Sequence, residues 1–455
     1  MKRVNIESIH LNKSLNTLAN CNYFNITSSN NSLNNKEDSL EGDISLKKGK
    51  SQEEKKSLPL ISGLEPAFLE WLSGFTDAEG NFNITLRKFN GNTYSSVMLT
   101  FQICLHIDDL FLLENIKKQL NCGHISISGS KCNFFINDKP SLLQVVLPIF
   151  NYIKLNSSKY YQFLIFEKAV NLYKDNKHLS TEGKLEMISL YKQIKLSYLA
   201  PSSKIFNNAP LTLNWLGGFT DGDSTFSISN YKPRLKFENH IKELELFKRI
   251  KSYLNSNTNI IITKPRINRP NANITITLDI TNIQFLKNHI SNLYSKPGIL
   301  KSKKLKDFND WSIVVNLYYL GYHLKPEGQL LIKEIKNRLN NFRLSTNIKN
   351  ITSSLEIPNN KSSFDSLSFE NRLKIILLTP SPYEILNGVR VKRGTHKLVS
   401  DRVKIICIDN LKNKTIYSSI TECSLKLGLD RAKIKTCLIT GEEYKNYQFI
   451  FAPLP

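Results

Sequence analysis

Trp71-Leu72-Ser73-Gly74-Phe75-Thr76-Asp77-Ala78-Glu79 recurs without a gap as Trp215-Leu216-Gly217-Gly218-Phe219-Thr220-Asp221-Gly222-Asp223, at an offset of 144 (223 − 79). The likeness continues downstream. His106-Ile107 through Leu120 resembles His240-Ile241 through Leu254, and Lys159 to Phe163 parallels Lys304 to Phe308 at an offset of 145 (304 − 159). A match that persists this far is a duplicated domain of roughly 140 residues, so the chain is constrained to fold as two similar units. Within each unit the coarse order is helix, strand pair, helix, strand pair, helix, which is an α+β plan.

The chain has 455 residues, enough for two or three domains. Residues 1–63 are rich in Asn, Ser and Lys and read as a disordered or loosely attached extension without a secretory or transit-peptide pattern. The repeats then occupy residues 64–200 and 201–345, a turn-rich linker covers 346–400, and a small module covers 401–455. In that module Arg402–Asp409 reads as a strand, Ser418–Leu429 as a helix stopped at a glycine and Arg431–Leu438 as a second helix, at helix-turn-helix spacing.

Lys and Arg number 62 against 39 Asp and Glu, a formal charge of +23, which points to a polyanionic partner and first of all to nucleic acid. No apolar run is long enough for a membrane span, so no membrane partner is expected. The seven cysteines lack a C-x-x-C pair. Cys122, His124, Cys132 and His106 do not have the ligand spacing of a zinc site, and buried thiols are the expectation.

Leu69 to Asp77 and Leu213 to Asp221 carry apolar residues at helical spacing, which by itself describes ordinary core helices. Each, however, runs into two acids separated by one small residue, Asp77-Ala78-Glu79 and Asp221-Gly222-Asp223, and a strand follows at once. Acids are unfavourable at a helix C-terminus, so the pattern calls for a positive group there. Ser73-Gly74 and Gly217-Gly218 would let the two helices approach backbone to backbone and bring Glu79 and Asp223 together. Facing carboxylates suit magnesium, or another divalent cation such as manganese, which in turn suits hydrolysis of a phosphodiester. Lys159 and Lys304, with Lys303 as a neighbour, are the repeat-matched cations for stabilising charge on the phosphate or deprotonating the water, although a lysine in so basic a chain is ordinarily a surface charge.

After each motif the pattern alternates. Phe82, Ile84 and Leu86 would face a core and Asn81, Asn83, Thr85 and Arg87 would face outward; Phe226 and Ile228 against Thr225, Ser227 and Ser229 repeat the scheme. Outward amides, hydroxyls and cations suit base edges and phosphates, and Lys264, Arg266 and Arg269 join this DNA-binding set in the second repeat.

Leu72 to Gly80 and Leu216 to Ser224 resemble the LAGLIDADG signature of homing endonucleases, and two copies at domain spacing make the resemblance specific over roughly residues 64–345. It implies two pseudo-symmetric αββαββα domains packed through the motif helices, with saddle-shaped antiparallel sheets over the major groove of double-stranded DNA. It further implies a monomer that makes site-specific double-strand breaks with short 3′ overhangs and so promotes intron mobility. In that family the penultimate acid of each motif is the catalytic metal ligand, here Glu79 and Asp223, while Asp77 and Asp221 are structural acids closing the helix ends. The second motif departs from the pattern at Ser224, where the family has glycine. The tail resembles, less specifically, the modular helix-turn-helix repeats attached to intron-encoded nucleases. Family members also serve as maturases that bind group I intron RNA, with or without cleavage, and the residues do not separate this alternative. The wealth of Asn, Ile and Lys, taken with the resemblance, leads to the expectation of a mitochondrial, organelle-encoded and fungal origin.

Overall fold

The computed structural model describes residues 63–197, 209–264, 273–347, 364, 366–386, 389–395, 397–400 and 403–452; the extension up to residue 62, Arg266 and Arg269 lie outside the described residues. The first domain opens with α1 (Pro66–Glu79), whose proline occupies the first turn, where no N–H partner is needed. It continues through β1 (Gly80–Arg87), β2 (Ser96–His106), α2 (Leu110–Leu120), β3 (His124–Ser128) and β4 (Lys131–Ile136). Then come α3 (residues 139–152, with a wide π turn over Leu142–Val146), α4 (Lys159–Lys174) and α5 (Thr181–Lys195).

The second domain repeats the order with α6 (Leu213–Asp223), β5 (Ser224–Ser229), β6 (Lys232–His240), α7 (Leu244–Tyr253), β7 (Ile260–Thr263) and β8 (Thr275–Ile280). It ends with α8 (residues 283–294), α9 (Lys304–Leu320) and α10 (Pro326–Lys336). Each domain holds one open four-stranded antiparallel sheet, ordered β1-β2-β4-β3 in the first and β5-β6-β8-β7 in the second. The duplicated αββαββα plan expected from the sequence is thus present, with two further helices closing each copy.

One face of each sheet is covered by helices, and aromatic rings fill the space at matching positions. Phe82 packs against Phe101, Phe150, Phe163 and Phe166 in the first domain; Phe226 packs against Tyr294, Phe308 and Trp311 in the second. Along β1 the burial alternates as read from the sequence, with Phe82, Ile84 and Leu86 buried.

The motif helices α1 and α6 pack against each other as well as against their own sheets. Every residue from Trp71 to Asp77 and from Trp215 to Asp221 is therefore buried. A methyl group built on Gly74 would lie 1.9 Å from the Trp215 carbonyl oxygen, and one built on Gly218 would lie 2.0 Å from that of Trp71. Only glycine permits this approach. The acids also sit inside the last helical turn, since α1 runs to Glu79 and α6 to Asp223, two residues beyond the ends read from the sequence.

Between residues 366 and 400, read from the sequence as a linker, the chain forms α11 (Phe369–Leu378) and a hairpin of β9 (Tyr383–Leu386) and β10 (Val389–Lys392). These lie on the second domain: Arg372 pairs with Glu334 at 2.6 Å, the Tyr322 hydroxyl donates to the Thr379 carbonyl at 2.6 Å, and the Arg390 guanidinium stacks over Tyr319. The last module has a core of its own. Its strands β11 (Ile405–Ile408), β12 (Lys414–Tyr417) and β13 (Gln448–Phe451) form a sheet ordered β12-β11-β13, which carries α12 (Ile420–Leu427) and α13 (Arg431–Thr440). Ser419 caps α12 and Gly428, at φ 64°, ends it; Asp430 caps α13. The helix pair expected from the sequence is therefore mounted on a three-stranded sheet.

Gly218→Ala must push the helix pair apart, and is expected to lower the free energy of unfolding by about 1–3 kcal/mol. The shift of the urea midpoint measures it, and a variant as stable as wild type would mean that the helices do not depend on their close approach.

Candidate functional site

Glu79 and Asp223 are the last residues of α1 and α6. A methyl group built on Gly222 would lie 2.2 Å from Ala78 Cβ and 3.4 Å from Glu79 Oε1, so the helix ends touch, and the Glu79 carboxylate is near enough to Asp223 to act on its charge. Asp223 accepts a hydrogen bond from Asn239 Nδ2 at 2.7 Å and lines a cavity with Asp77, Ser158, Lys159 and Glu243. Burial raises the Asp223 carboxyl pKa; Lys159 opposes that shift, the nearby Glu79 adds to it, and the result is about 7.

Lys159 and Lys304 stand at the starts of α4 and α9. Lys159 Nζ donates to the carbonyls of Thr76 and Ala78, at 3.2 and 2.7 Å. Lys304 Nζ donates to those of Thr220, Gly222 and Ser224, at 2.9, 2.9 and 2.6 Å, which engages all three of its hydrogens. Each ammonium thus caps the negative end of its own motif helix. Burial lowers both lysine pKa values, and the surrounding acids oppose the shift. The structure directs Lys303 elsewhere, with its Nζ 2.8 Å from Asp109 Oδ2.

Asp77 and Asp221 are wholly engaged. Asp77 accepts from the backbone N–H groups of Asn156 and Ser157 at 2.8 Å each, and from the indole of Trp215 at 2.8 Å. Asp221 accepts from the N–H groups of Lys301 and Ser302 at 2.7 and 3.2 Å, from the Ser302 hydroxyl at 2.6 Å, and from the indole of Trp71 at 2.9 Å. Each motif acid therefore holds the loop before its own domain's lysine and the tryptophan of the other domain's helix. Burial pushes both carboxyls up and these donors pull them down.

Asn81, Asn83, Thr85 and Arg87 stand on the sheet face away from the first core, and Thr225, Ser227 and Ser229 on that of the second. Asn83 donates to Thr85 Oγ1 at 3.1 Å. Strand pairing adds residues that the sequence reading did not single out. Gln102, opposite Asn81, donates to Asn133 Oδ1 at 3.1 Å; Arg234, opposite Ser227, pairs with Asp279, and Lys236 with Glu238. The alternation along β2 and β6 was the signal that would have found them. Lys264 is exposed just beyond β7.

Segments 72–170 and 216–315 match the family model described as LAGLIDADG endonuclease. Each domain is similar to the LAGLIDADG family. Among relatives, the chain is similar to an uncharacterized mitochondrial protein of Saccharomyces cerevisiae, 26% identical over 306 residues that cover 62% of each chain. It is also similar to a probable intron-encoded endonuclease of Neurospora crassa, 32% identical over 194 residues that cover 37% of this chain and 42% of that protein. The chain thus spans less than two thirds of either relative. Among solved structures it resembles the LAGLIDADG homing endonuclease I-SmaMI bound to cleaved DNA, with 25% identity and a TM-score of 0.53, covering 61% of this chain and 98% of that one.

The donor set at the ends of the LAGLIDADG helices fits a hard divalent cation. Asp223 offers carboxylate oxygens to a cavity, the Glu79 carboxylate is close enough to raise its pKa, and burial disfavours leaving charge there uncompensated. Among the described residues no group of three or more His, Cys, Asp or Glu side chains forms a complete cage, so phosphate and water would have to supply the other ligands, as they commonly do for magnesium. The six described cysteines are free thiols.

Trp215→Phe keeps the ring packing but takes a donor from buried Asp77, and is expected to cost about 1–3 kcal/mol. Trp71→Phe is expected to do the same through Asp221. Urea titration of each variant checks both, and an unchanged midpoint would mean that the crossed indole bonds contribute nothing.

Proposed function

We infer that the protein is a site-specific DNA endonuclease that hydrolyses one phosphodiester in each strand and thereby promotes movement of the intron that encodes it. The observation that carries this reading is the contact between the C-terminal turns of two LAGLIDADG-like helices, which end on Glu79 and Asp223, in a chain whose two sheets each have a polar outer face. I-SmaMI, which shares the fold, has been captured with cleaved DNA, and relatives carry the names intron-encoded endonuclease and mitochondrial protein, which supports a fungal mitochondrial setting.

In this reading Glu79 and Asp223 hold magnesium or manganese, which would supply a water of lowered pKa and neutralise charge on the leaving 3′ oxygen. The chain's own groups do the remaining work. Lys159 and Lys304 fix the helix ends that carry the two acids and place positive charge beside the reacting phosphates. Asp77 and Asp221 hold the loops from which those lysines arise. Water attacks phosphorus in line, the bond to the 3′ oxygen breaks, and the departing oxygen takes up a proton. The outer sheet faces, with Asn81, Asn83, Thr85, Arg87, Thr225, Ser227, Ser229 and the basic group around Lys264, contact the major groove of double-stranded DNA. The C-terminal module, whose α13 carries Arg431, Lys433 and Lys435, extends DNA contact beyond the cut.

DNA spanning the intronless insertion site is expected to be cut in both strands with magnesium and left intact with a chelator. Glu79→Gln and Asp223→Asn are each expected to abolish cutting while DNA binding persists in gel-shift assays. A folded wild type that cuts nothing yet binds the intron RNA tightly would replace this reading with that of a group I intron maturase.

A further inference from the structure

Two short 3-10 turns, Ile107–Asp109 and Ile241–Glu243, connect β2 to α2 and β6 to α7. Their histidine caps are alike: the backbone N–H of Asp108 donates to His106 Nδ1, and that of Lys242 to His240 Nδ1, each at 3.2 Å. The turns end on acids, Asp109 and Glu243, that are only 7% and 3% exposed. Burying a carboxylate is unfavourable unless donors reach it, and here the donors come from the opposite domain. Glu243 accepts from the Ser158 N–H at 3.1 and 3.3 Å. Asp109 accepts from the Lys303 N–H at 2.9 Å and pairs with Lys303 Nζ at 2.8 Å.

Ser158 and Lys303 are the residues immediately before Lys159 and Lys304. The preceding N–H groups, those of Ser157 and Ser302, are already held by the motif acids Asp77 and Asp221. Consecutive amides at the start of each lysine helix are thus fixed by two carboxylates, one from the same domain and one from the other. The cross-domain carboxylate also complements the positive end of the helix it meets. Because the turns that end on Asp109 and Glu243 directly follow β2 and β6, each acid is tied to a strand that displays outward polar residues.

We propose that Glu243 and Asp109 are positioning residues that set Lys159 and Lys304 across the domain boundary, so that each DNA-facing strand aligns the cleavage chemistry of the opposite domain. This rests on the endonuclease reading above. The two links differ in one respect: Asp109 has the Lys303 ammonium as well as the amide, whereas Glu243 has Ser158 alone on the lysine helix.

Plasmid cleavage with each target strand labelled separately reads the two nicks. Glu243→Ala is expected to slow one strand by about tenfold or more, and Asp109→Ala the other, because small misplacements of catalytic groups are costly. Glu243→Gln keeps an acceptor oxygen and is expected to restore most of the lost rate. Ser158→Pro removes the donor at a φ of −58° that proline accepts, and is expected to slow the same strand as Glu243→Ala. Equal slowing of both strands, loss on one and the same strand in both alanine variants, or a lower urea midpoint with unchanged nicking rates would overturn the proposal. A wild type that cuts neither strand defeats the endonuclease reading instead. Hydrogen exchange then tests the link itself: Glu243→Ala must speed exchange of the Ser158 amide and leave that of Lys303 alone, and unchanged exchange at Ser158 overturns it.

Discussion

Two helices in backbone contact at Gly74 and Gly218 hold this structure in place. At such a distance no side chain fits between them, so the tryptophans one turn away lie over the crossing and each indole reaches the aspartate of the other helix. Those aspartates are buried, and a buried carboxylate is tolerated only with its oxygens filled. The remaining donors come from the loops ahead of α4 and α9, which fixes where the two lysine helices begin. Helix pairing, acid placement and lysine placement are thus one linked arrangement.

The electrostatics follow from that geometry. Carbonyls at the C-termini of two helices and the carboxylates of Glu79 and Asp223 crowd negative charge into one small volume. The Lys159 and Lys304 ammonium groups enter from the sides and are held by those carbonyls rather than by the acids. Asp223 shows the balance, since its pKa rises to about 7 even with Lys159 opposing the shift. A hard cation is the chemical complement of such a volume.

The two copies share a plan but not a surface. The first sheet presents neutral hydrogen-bonded pairs, Asn83 with Thr85 and Gln102 with Asn133, whereas the second presents ion pairs, Arg234 with Asp279 and Lys236 with Glu238. Only the second domain carries α11 and the β9–β10 hairpin, anchored by Arg372 and Arg390. The segment after α10 returns to the first domain, where the Ser345 N–H donates to Asp108 at 2.8 Å. The two outer faces therefore offer different groups at matching places in the fold.

The amino-acid sequence determined the duplication, the αββαββα order, the alternation of β1 and β5 and the matched placement of Glu79 and Asp223 in the two repeats, because these depend on local periodicity and on a repeat visible at a fixed offset. It also announced the close helix approach through Ser73-Gly74 and Gly217-Gly218. Other features depend on which distant residues share a boundary. The crossed Trp–Asp bonds, the pairing of Lys303 with Asp109, the reach of Glu243 to Ser158 and the support of Asp223 by Asn239 lack a sequence signature, since each partner alone is an ordinary tryptophan, acid or amide. The linker reading of residues 346–400 had a similar cause. Prolines and polar residues mark turns, but only the packed surface of α9 and α10 supplies the partners that order α11 and the hairpin beside them. Local pattern set the elements, whereas the buried acids, which must find donors wherever the fold brings them, decided how the two halves lock together.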